Sequence, residues 1–403
     1  MKEMLVRPLE ERPPTTVLWD TPDLRLARWG CSLSHENGKG WTVHLPDEQG
    51  GDARGGHRIA GDDDAVPGAA LDLVAAFART APLTAWQATG SEAGATLAGA
   101  SGVAGSSEIA VDDVGRHSTA AEVVRRAIAA STVRLIRHDA GVRLGNDPEA
   151  VHQARVAVRR LRSDLRTFRP LVAREWGDRL RDELRWIGGE LGEVRDADVL
   201  VAGLLTGVGQ LPESDRAAGD AVIEEVRGHA LRSRVRLLES MRSQRYLRLL
   251  ELLVEASHRP ALLPDAERPA AEVLPGLLAR PWSRLRRDAG RLRWREAGDD
   301  ELHALRIRAK RVRYAAEAGA PVIGKAAAKF ARAVTGLQDV LGEHQDAVVA
   351  AAWLREHGPG GPATEAFAAG QLWAIEGEVA AQARSRWPRA WKRARRRKRR
   401  RWM

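Results

Sequence analysis

Two segments of this sequence resemble each other at an offset of 151 residues, and this repeat limits the possible folds more than any other feature. The segments are Val151-His-Gln-Ala-Arg-Val-Ala-Val-Arg-Arg-Leu-Arg162 and Leu302-His-Ala-Leu-Arg-Ile-Arg-Ala-Lys-Arg-Val-Arg313. About forty residues after each comes Leu191-Gly-Glu-Val-Arg-Asp-Ala197 or Leu341-Gly-Glu-His-Gln-Asp-Ala347, at an offset of 150. A duplicated unit explains both pairs of segments, and it predicts pseudo-twofold symmetry.

Residues 118–386 carry long amphipathic segments with a period near 3.6 residues, interrupted at glycine and proline. This pattern predicts helices over 119–138, 148–169, 174–206, 213–240, 244–257, 270–289, 300–317, 322–357 and 363–385. The expected fold class is mainly all-α, with duplicated antiparallel helical bundles over about 118–257 and 258–386.

The first ninety residues have a different pattern. Short β-prone runs, Thr16–Trp19 and Trp41–Leu45, lie between Gly, Pro and Asp clusters and are followed by a helix-like stretch, Ala69–Thr80. Residues 1–90 are therefore expected to form a small α/β unit. Residues 91–117 are rich in Gly, Ser and Ala without hydrophobic periodicity, which predicts a flexible linker.

A basic stripe follows one helical face in each copy of the repeat. In the first copy the apolar residues step by three and four, and a basic row steps identically one residue later: His152, Arg155, Arg159, Arg162 and Arg166. The second copy has His303, Arg306, Lys310 and Arg313 in the same pattern. Each stripe begins near a helix start, with Asn146 or Asp147 as the expected cap in the first copy and Asp299 or Asp300 in the second.

These stripes could be solvated helix faces or a binding surface. Arginine outnumbers lysine 57 to 7, as GC-rich coding would produce without any function, so an isolated arginine is not evidence of a site. However, like charges at adjacent helical turns repel by about a few tenths of a kcal/mol per pair, and this unfavourable arrangement occurs twice. We therefore interpret the stripes as a ladder of donors for a linear polyanion.

Acidic residues recur in the second shared element of the repeat. They are Glu193, Asp196, Glu343 and Asp346. They could bind a catalytic metal, or they could orient the stripe arginines across a helix pair through bidentate contacts. We favour the second interpretation and predict no metal and no other cofactor.

A helix that opens with His-x-x-Arg and continues Arg/Lys-Arg-x-Arg, present twice and followed by Leu-Gly-Glu-x-x-Asp-Ala, resembles the CHAD family over about residues 118–386. The resemblance implies two helical bundles around a basic cavity that binds inorganic polyphosphate without catalysis. Position by position, it implies as phosphate ligands His152, Arg155, Arg159, Arg160, Arg162, His303, Arg306, Lys310, Arg311 and Arg313, beside the stripe residue Arg166.

The N-terminal region is similar to the early part of a CYTH domain, the triphosphate-tunnel fold. The similarity rests on Leu18-Trp-Asp-Thr-Pro-Asp-Leu-Arg-Leu-Ala-Arg28 and Gly40-Trp-Thr-Val-His-Leu-Pro46. The Glu-x-Glu-x-Lys strand with which that family opens is missing from Met1–Pro14, and His44 replaces a usual lysine. We therefore expect a partial, degenerate CYTH-like unit without triphosphatase activity.

The formal net charge of +10 depends on the C-terminal end, where residues 384–403 hold twelve basic residues and no acid. Trp387, Trp391 and Trp402 interleave with these cations, so we expect a basic tail over 387–403. The alternative function is non-specific nucleic-acid binding through this tail. One cysteine, Cys31, and the lack of a signal-peptide or membrane-spanning pattern predict a cytoplasmic protein, associated with polyphosphate granules if the polymer is its ligand.

Overall fold

The computed structural model describes residues 16–46, 56–62, 65–87, 108–292, 296–396 and 402–403. The chain forms two compact units. The first contains residues 1–110 with 136–145, and the second contains 111–135 with 146–403.

The first unit is built on a five-stranded antiparallel sheet in the order β4-β3-β2-β1-β5. Its strands are β1 (Thr16–Asp20), β2 (Ser32–Glu36), β3 (Gly40–His44), β4 (His57–Ile59) and β5 (Thr84–Gln87). Two helices complete it, α1 (Arg25–Arg28) and α2 (Gly68–Ala78). The predicted β-runs and the helix-like stretch therefore form the elements expected of them, whereas the region compared with the missing CYTH strand lies outside the described residues.

Asp20 holds the turn into α1. Its buried carboxylate accepts hydrogen bonds from the backbone N–H groups of Thr21, Leu26 and Ala27, at 2.7, 2.9 and 2.9 Å. Burial raises the pKa of this carboxyl, although the same hydrogen bonds oppose the shift. Satisfying several backbone donors with one side chain is what fixes so short a helix.

The end of the expected linker packs against the first unit. Glu108 accepts two hydrogen bonds from the Arg79 guanidinium, at 2.6 and 2.8 Å, and Ile109 is buried. A bidentate contact of this kind orders both partners. Residues 108–110 therefore belong to the first unit, whereas residues 91–107 of the predicted linker lie outside the described residues.

The second unit is helical. Its helices are α3 (Ala120–Leu144, of which the last part belongs to the first unit), α4 (Pro148–Thr167), α5 (Arg174–Val208), α6 (Glu213–Arg242), α7 (Gln244–His258), α8 (Ala270–Arg291), α9 (Asp299–Ile323), α10 (Lys325–His357) and α11 (Ala363–Ala394). The expected all-α class and its pattern of helices are confirmed. Among the described residues, none of these helices is both long enough and apolar enough to cross a membrane.

The duplication is visible in matching interhelical ion pairs. Arg236 of α6 contacts Glu193 of α5, and Arg386 of α11 contacts Glu343 of α10, so both partners shift by 150 residues between the pairs. Arg155 of α4 likewise contacts Asp196 of α5. Its counterpart in the second copy is the contact between α9 and α10 described below. The helices α4 to α6 therefore correspond to α9 to α11.

The helix α11 does not end at residue 385 as expected but continues to Ala394. Trp387 and Trp391, four residues apart, are buried in one core cluster with Trp282 and Phe330. Rings at this spacing share one helical face, so burying them extends the helix. Residues 387–394 are therefore part of the bundle and not of a separate tail.

Candidate anion-binding site

The two stripe helices begin with different caps. In α4 the Asp147 side chain accepts from the backbone N–H of Glu149 at 2.8 Å, and Pro148 takes the first helical position, as predicted. The cap of α9 is Gly298, whose N–H donates to the Glu301 carboxylate at 2.9 Å, so the expected caps Asp299 and Asp300 are wrong. Both aspartates lie inside the first turn of α9.

The stripes border the core as their spacing predicted. The apolar residues beside the first stripe are buried, and so are those beside the second: Val151, Ala154, Val158, Leu161 and Leu165, and Leu302, Leu305, Ala309, Val312 and Ala316. Packing of these rows leaves the neighbouring cations half-buried instead of fully hydrated, apart from Arg166, which is exposed. Partial burial strengthens every electrostatic interaction that the cations make.

Cations from both copies of the repeat meet at a central basic site, which we define as Arg155 and Arg159 of α4 with Arg306 and Lys310 of α9. Burial and the neighbouring Arg306, Arg159 and Arg155 together lower the pKa of Lys310 to about 7, against the attraction of Asp346. Burial and the neighbouring Arg155 likewise lower the pKa of Arg159. The site therefore concentrates positive charge that its acids do not neutralise.

An aromatic ring lies among the guanidinium groups next to this site. The carbon at the centre of each guanidinium lies over the Tyr314 ring at 5.5 Å for Arg159, 5.5 Å for Arg160 and 4.7 Å for Arg313. The ring is almost fully buried. Its negative face attracts the cations and holds their planes in place.

The far ends of the stripes open into a cavity of about 570 Å³, which we call the arginine cavity. Its basic lining residues are Arg166, Arg169, Arg174, Arg181, Arg280, Arg284, Arg308 and Arg311. Among the described residues, no aspartate or glutamate lines it. Burial and several neighbouring arginines, Arg166 first among them, together lower the pKa of Arg311 to about 10.

The remaining predicted ligands differ in their surroundings. Burial lowers the pKa of Arg162, and the neighbouring Arg185 and Arg181 reinforce the shift, although Arg162 does not itself line the arginine cavity. Arg160 instead donates to Glu317 at 2.6 Å, and neither residue lines that cavity. The structure therefore gives Arg160 a partner that the sequence did not indicate.

The two histidines also differ. His303 Nδ1 lies 2.6 Å from Gln345 Oε1, so a neighbouring amide orients its ring. Burial lowers the pKa of His152, and the nearby Arg195 adds to the effect. Position 345 and position 195 correspond in the repeat, which means that one histidine has an amide neighbour and its counterpart has a cation.

The four predicted supporting acids fall into two classes. Asp196 contacts Arg155 at 3.1 Å, and Asp346 contacts Arg306 at 3.5 Å, each through one guanidinium nitrogen. The stripe contacts are thus across a helix pair, as expected, but not bidentate. Glu193 and Glu343 instead contact Arg236 and Arg386 on neighbouring helices. Among the described residues there is no group of three or more side chains arranged to hold a metal ion.

Several residues of the site were not predicted. Arg181, Arg284 and Arg308 line the arginine cavity but come from three helices. Arg181 and Arg284 lie outside the shared motifs, and Arg308 lies in the second motif where the first copy has Ala157. Arg280 and Arg284 are four residues apart, which places them on one helical face and could have indicated a basic surface there. Arginine is so abundant in this sequence that such a pair did not stand out. Tyr314 directly follows the second motif, and no pattern distinguished it.

A sequence profile of the CHAD domain matches residues 126–355, which include both stripes. The chain belongs to the CHAD family. This confirms the resemblance stated above for the helical region.

Two uncharacterized proteins of Mycobacterium tuberculosis strains are similar to this CHAD protein, each 33% identical over 252 residues. The alignment covers 59% of this chain and 45% of the relatives, so the chain spans about half their length. Among solved structures, PptA from Streptomyces chartreusis has a TM-score of 0.58 at 22% identity, over 68% of this chain and 100% of that one. The CHAD domain of the plant Ricinus communis has a TM-score of 0.57 at 26% identity, over 70% and 94%.

Proposed function

We propose that this CHAD protein binds linear inorganic polyphosphate along the central basic site and the arginine cavity, without catalysing a reaction on it. The polymer contacts the stripe residues named above. Arg160 contributes its charge from beside the Tyr314 ring, where its guanidinium lies over the ring face. Arg181, Arg284 and Arg308 add donors in the cavity. Polyphosphate is the ligand that membership of the family implies, and the geometry of the site supports it.

One observation carries the proposal: half-buried Lys310 lies near three arginines from both copies of the repeat, with Asp346 as the acid that opposes their charge. Partly buried cations that outnumber the acids beside them cost free energy, and a fold retains such an arrangement when a ligand offsets the cost. A phosphate chain supplies closely spaced negative oxygens, and guanidinium groups bind them bidentately.

The length of the basic surface favours a polymer over a single phosphate. Arg155 and Arg166 are eleven residues apart on α4, which corresponds to about 16 Å along a helix. One phosphate group cannot contact both ends of this row. A linear polyphosphate can contact the central basic site and the arginine cavity at once, and the gain is then a sum over many contacts.

The site's chemistry supports binding without hydrolysis. Phosphoryl transfer requires a positioned nucleophile and normally a metal ion held by acids. The acids nearest the stripes, Asp196 and Asp346, are engaged with Arg155 and Arg306. We therefore expect no phosphate release from tripolyphosphate or ATP with Mg²⁺ or Mn²⁺ above the level of heat-inactivated protein.

Nucleic-acid binding through the C-terminal end remains the second candidate, but one of its two supports is weakened. Trp387 and Trp391 are buried in the core and cannot stack on bases. A titration of labelled long-chain polyphosphate, with single-stranded DNA as competitor, separates the two functions. Displacement of polyphosphate by equal amounts of DNA phosphate would contradict our proposal. Cytoplasmic localisation at polyphosphate granules is the corresponding expectation in cells.

A further inference from the structure

A second basic surface lies away from the stripes, in a groove between α10 and α11 with a volume of about 860 Å³. We call it the outer groove. Its cations are Lys325, Lys329 and Arg332 of α10 with Arg386, Arg389 and Arg393 of α11. All six are exposed, and its other lining residues are Ala326, Ala333, Gly336, Val340 and Ala390. Among the described residues, the groove thus has two basic rims, an apolar floor and no acidic lining.

The buried faces of the same helices hold the rims in place. Phe330 and Val334 of α10 pack in one core cluster with Trp387 and Trp391 of α11. The rim cations alternate with these core residues along both helices, so the apolar packing fixes the separation of the two rows. The rims are therefore a preformed pair of basic rows.

The internal repeat shows whether packing of this helix pair requires basic residues at these positions, because the first copy contains the corresponding pair, α5 and α6. Counted back by 150 residues, Lys325, Arg332 and Arg389 correspond to Glu175, Asp182 and Glu239 of α5 and α6. The three acidic positions are exposed, as their basic counterparts are. The same helix pair therefore folds with acids at these positions, and packing does not require the cations of the second copy.

The corresponding Arg236 and Arg386 are basic in both copies, and both form the interhelical ion pair that the fold repeats. Arg386 thus has a structural role as one partner of this ion pair. Lys325, Arg332 and Arg389 are not basic in the first copy, so the repeated fold does not need a cation at their positions. Lys325 occupies an electrostatically unfavourable position. It lies in the first turn of α10, where the helix dipole disfavours a cation. GC-rich coding does not account for it either, because lysine occurs only seven times in the chain and two of the seven are in this groove.

We infer that the outer groove is a second binding site for linear polyphosphate, which holds another stretch of a long chain on the surface of α10 and α11. The inference rests on the proposed function. In the part of the chain that the structure describes, its lining offers donors for phosphate oxygens but no aromatic ring to stack on a base and no acidic or amide side chain to read one. This chemistry fits a phosphate chain without bases better than a nucleic acid.

Part of this groove also lies beyond the CHAD match, which ends at residue 355, since Arg386, Arg389 and Arg393 follow it. Two sites on one chain would raise the apparent affinity for long polymers, because the second contact becomes intramolecular. Short oligophosphates would gain nothing from it. Affinity that increases with chain length is therefore the signature of the outer groove.

The test exchanges the groove residues for their counterparts in the first copy: Lys325→Glu, Arg332→Asp and Arg389→Glu in the full chain. A control variant with the same charge change, Arg227→Glu, Arg232→Asp and Arg259→Glu, alters exposed arginines elsewhere on the helical unit. Circular dichroism confirms that both variants are folded. Affinities for long-chain polyphosphate, tripolyphosphate and single-stranded DNA are then measured over a range of salt concentrations.

We expect the groove variant to lose about tenfold or more in affinity for long-chain polyphosphate, since each exposed contact contributes a few-fold. The slope of log affinity against log salt concentration should be shallower by about two in the groove variant than in the control, because three phosphate contacts are lost. Tripolyphosphate affinity should stay unchanged. Equal affinities of the two variants for the long polymer would overturn the inference and leave the proposed function intact.

Two other outcomes are informative. If the groove variant lost only DNA affinity, the occupant would be nucleic acid and the inference would be wrong. If tripolyphosphate bound neither variant nor the parent chain, while the groove variant alone lost the long polymer, the outer groove would stand and the central basic site would not.

Discussion

Lys310 of α9 lies close enough to Arg159 of α4 for the guanidinium to lower the pKa of the ammonium, although the two residues are 151 positions apart. The same two positions correspond in the internal repeat. The pseudo-twofold relation therefore places equivalent cations near each other at half-buried positions. The Arg159 guanidinium disfavours the charged form of Lys310 until an anion binds, and five predictions test the proposed site.

Polyphosphate binding should take up a proton near pH 8. Burial and the neighbouring Arg306, Arg159 and Arg155 lower the pKa of Lys310 to about 7 from the usual 10.5, and a bound anion favours the ammonium. Affinity should therefore fall as the pH rises above about 7. Calorimetry in buffers of different ionisation enthalpy measures the proton, and the Lys310→Arg variant, which stays charged, should bind without this uptake.

The same shift has a consequence for the unliganded protein. Between pH 7 and pH 10.5 the unfolded chain holds the Lys310 proton and the folded chain releases it, so this residue's contribution to stability becomes more favourable as the pH rises through the window. Below about pH 7 both states are protonated and the cost of the buried charge is fully present. Urea denaturation of the parent chain and Lys310→Met at both ends of the window should show a smaller pH dependence in the variant.

The double variant Arg159→Gln with Lys310→Gln should bind polyphosphate about a hundredfold more weakly. Each charge-assisted contact contributes on the order of 1.5 to 3 kcal/mol, and 1.4 kcal/mol corresponds to a factor of ten. Arg227→Gln with Arg232→Gln removes the same charge from exposed positions of α6 and is the control. Thermal denaturation should show the site variant at least as stable as the parent, because it removes buried like charges. Equal affinities of the two folded variants would mean that the stripes are ordinary solvated faces.

Tyr314→Leu should weaken polyphosphate binding, whereas Tyr314→Phe should not. The ring face lies against Arg159, Arg160 and Arg313, and the benzene ring of phenylalanine preserves that surface. A cation–π contact contributes about 0.5 to 2 kcal/mol, so losing the ring should cost roughly tenfold in affinity. Fluorescence titration measures it, and circular dichroism checks that the leucine variant is folded. A loss as large in the phenylalanine variant would show that the hydroxyl, and not the ring, matters.

Asp346→Asn should strengthen polyphosphate binding. Asp346 is the acid that opposes the lowered pKa of Lys310, and its contact with Arg306 is long, at 3.5 Å. Removing one negative charge near the polymer is worth about 1 kcal/mol at 4 Å in water, or roughly a fivefold gain. Competition titration against the parent chain measures the change. Weaker binding would contradict this prediction and would show that the main role of Asp346 is to orient Arg306, as the sequence suggested.

Much of this protein could be predicted from local sequence information. Helical periodicity is a property of a few consecutive turns, so the order of the helices followed from it directly, and the duplicated motif indicated two equivalent stripes. The same locality explains the error at Trp387 and Trp391: their composition suggested an exposed basic tail, although their spacing of four residues already matched a buried helical face.

The partners of individual side chains were decided only by the tertiary structure. Arg160 and Arg159 are neighbours in one motif, yet Arg160 contacts Glu317, which is 157 residues away, while Arg159 joins the central basic site. The cations of the arginine cavity likewise come from separate helices that packing brings together. Spacing along a helix determines which face a side chain occupies. What that face meets depends on contacts between distant segments, which no local pattern records.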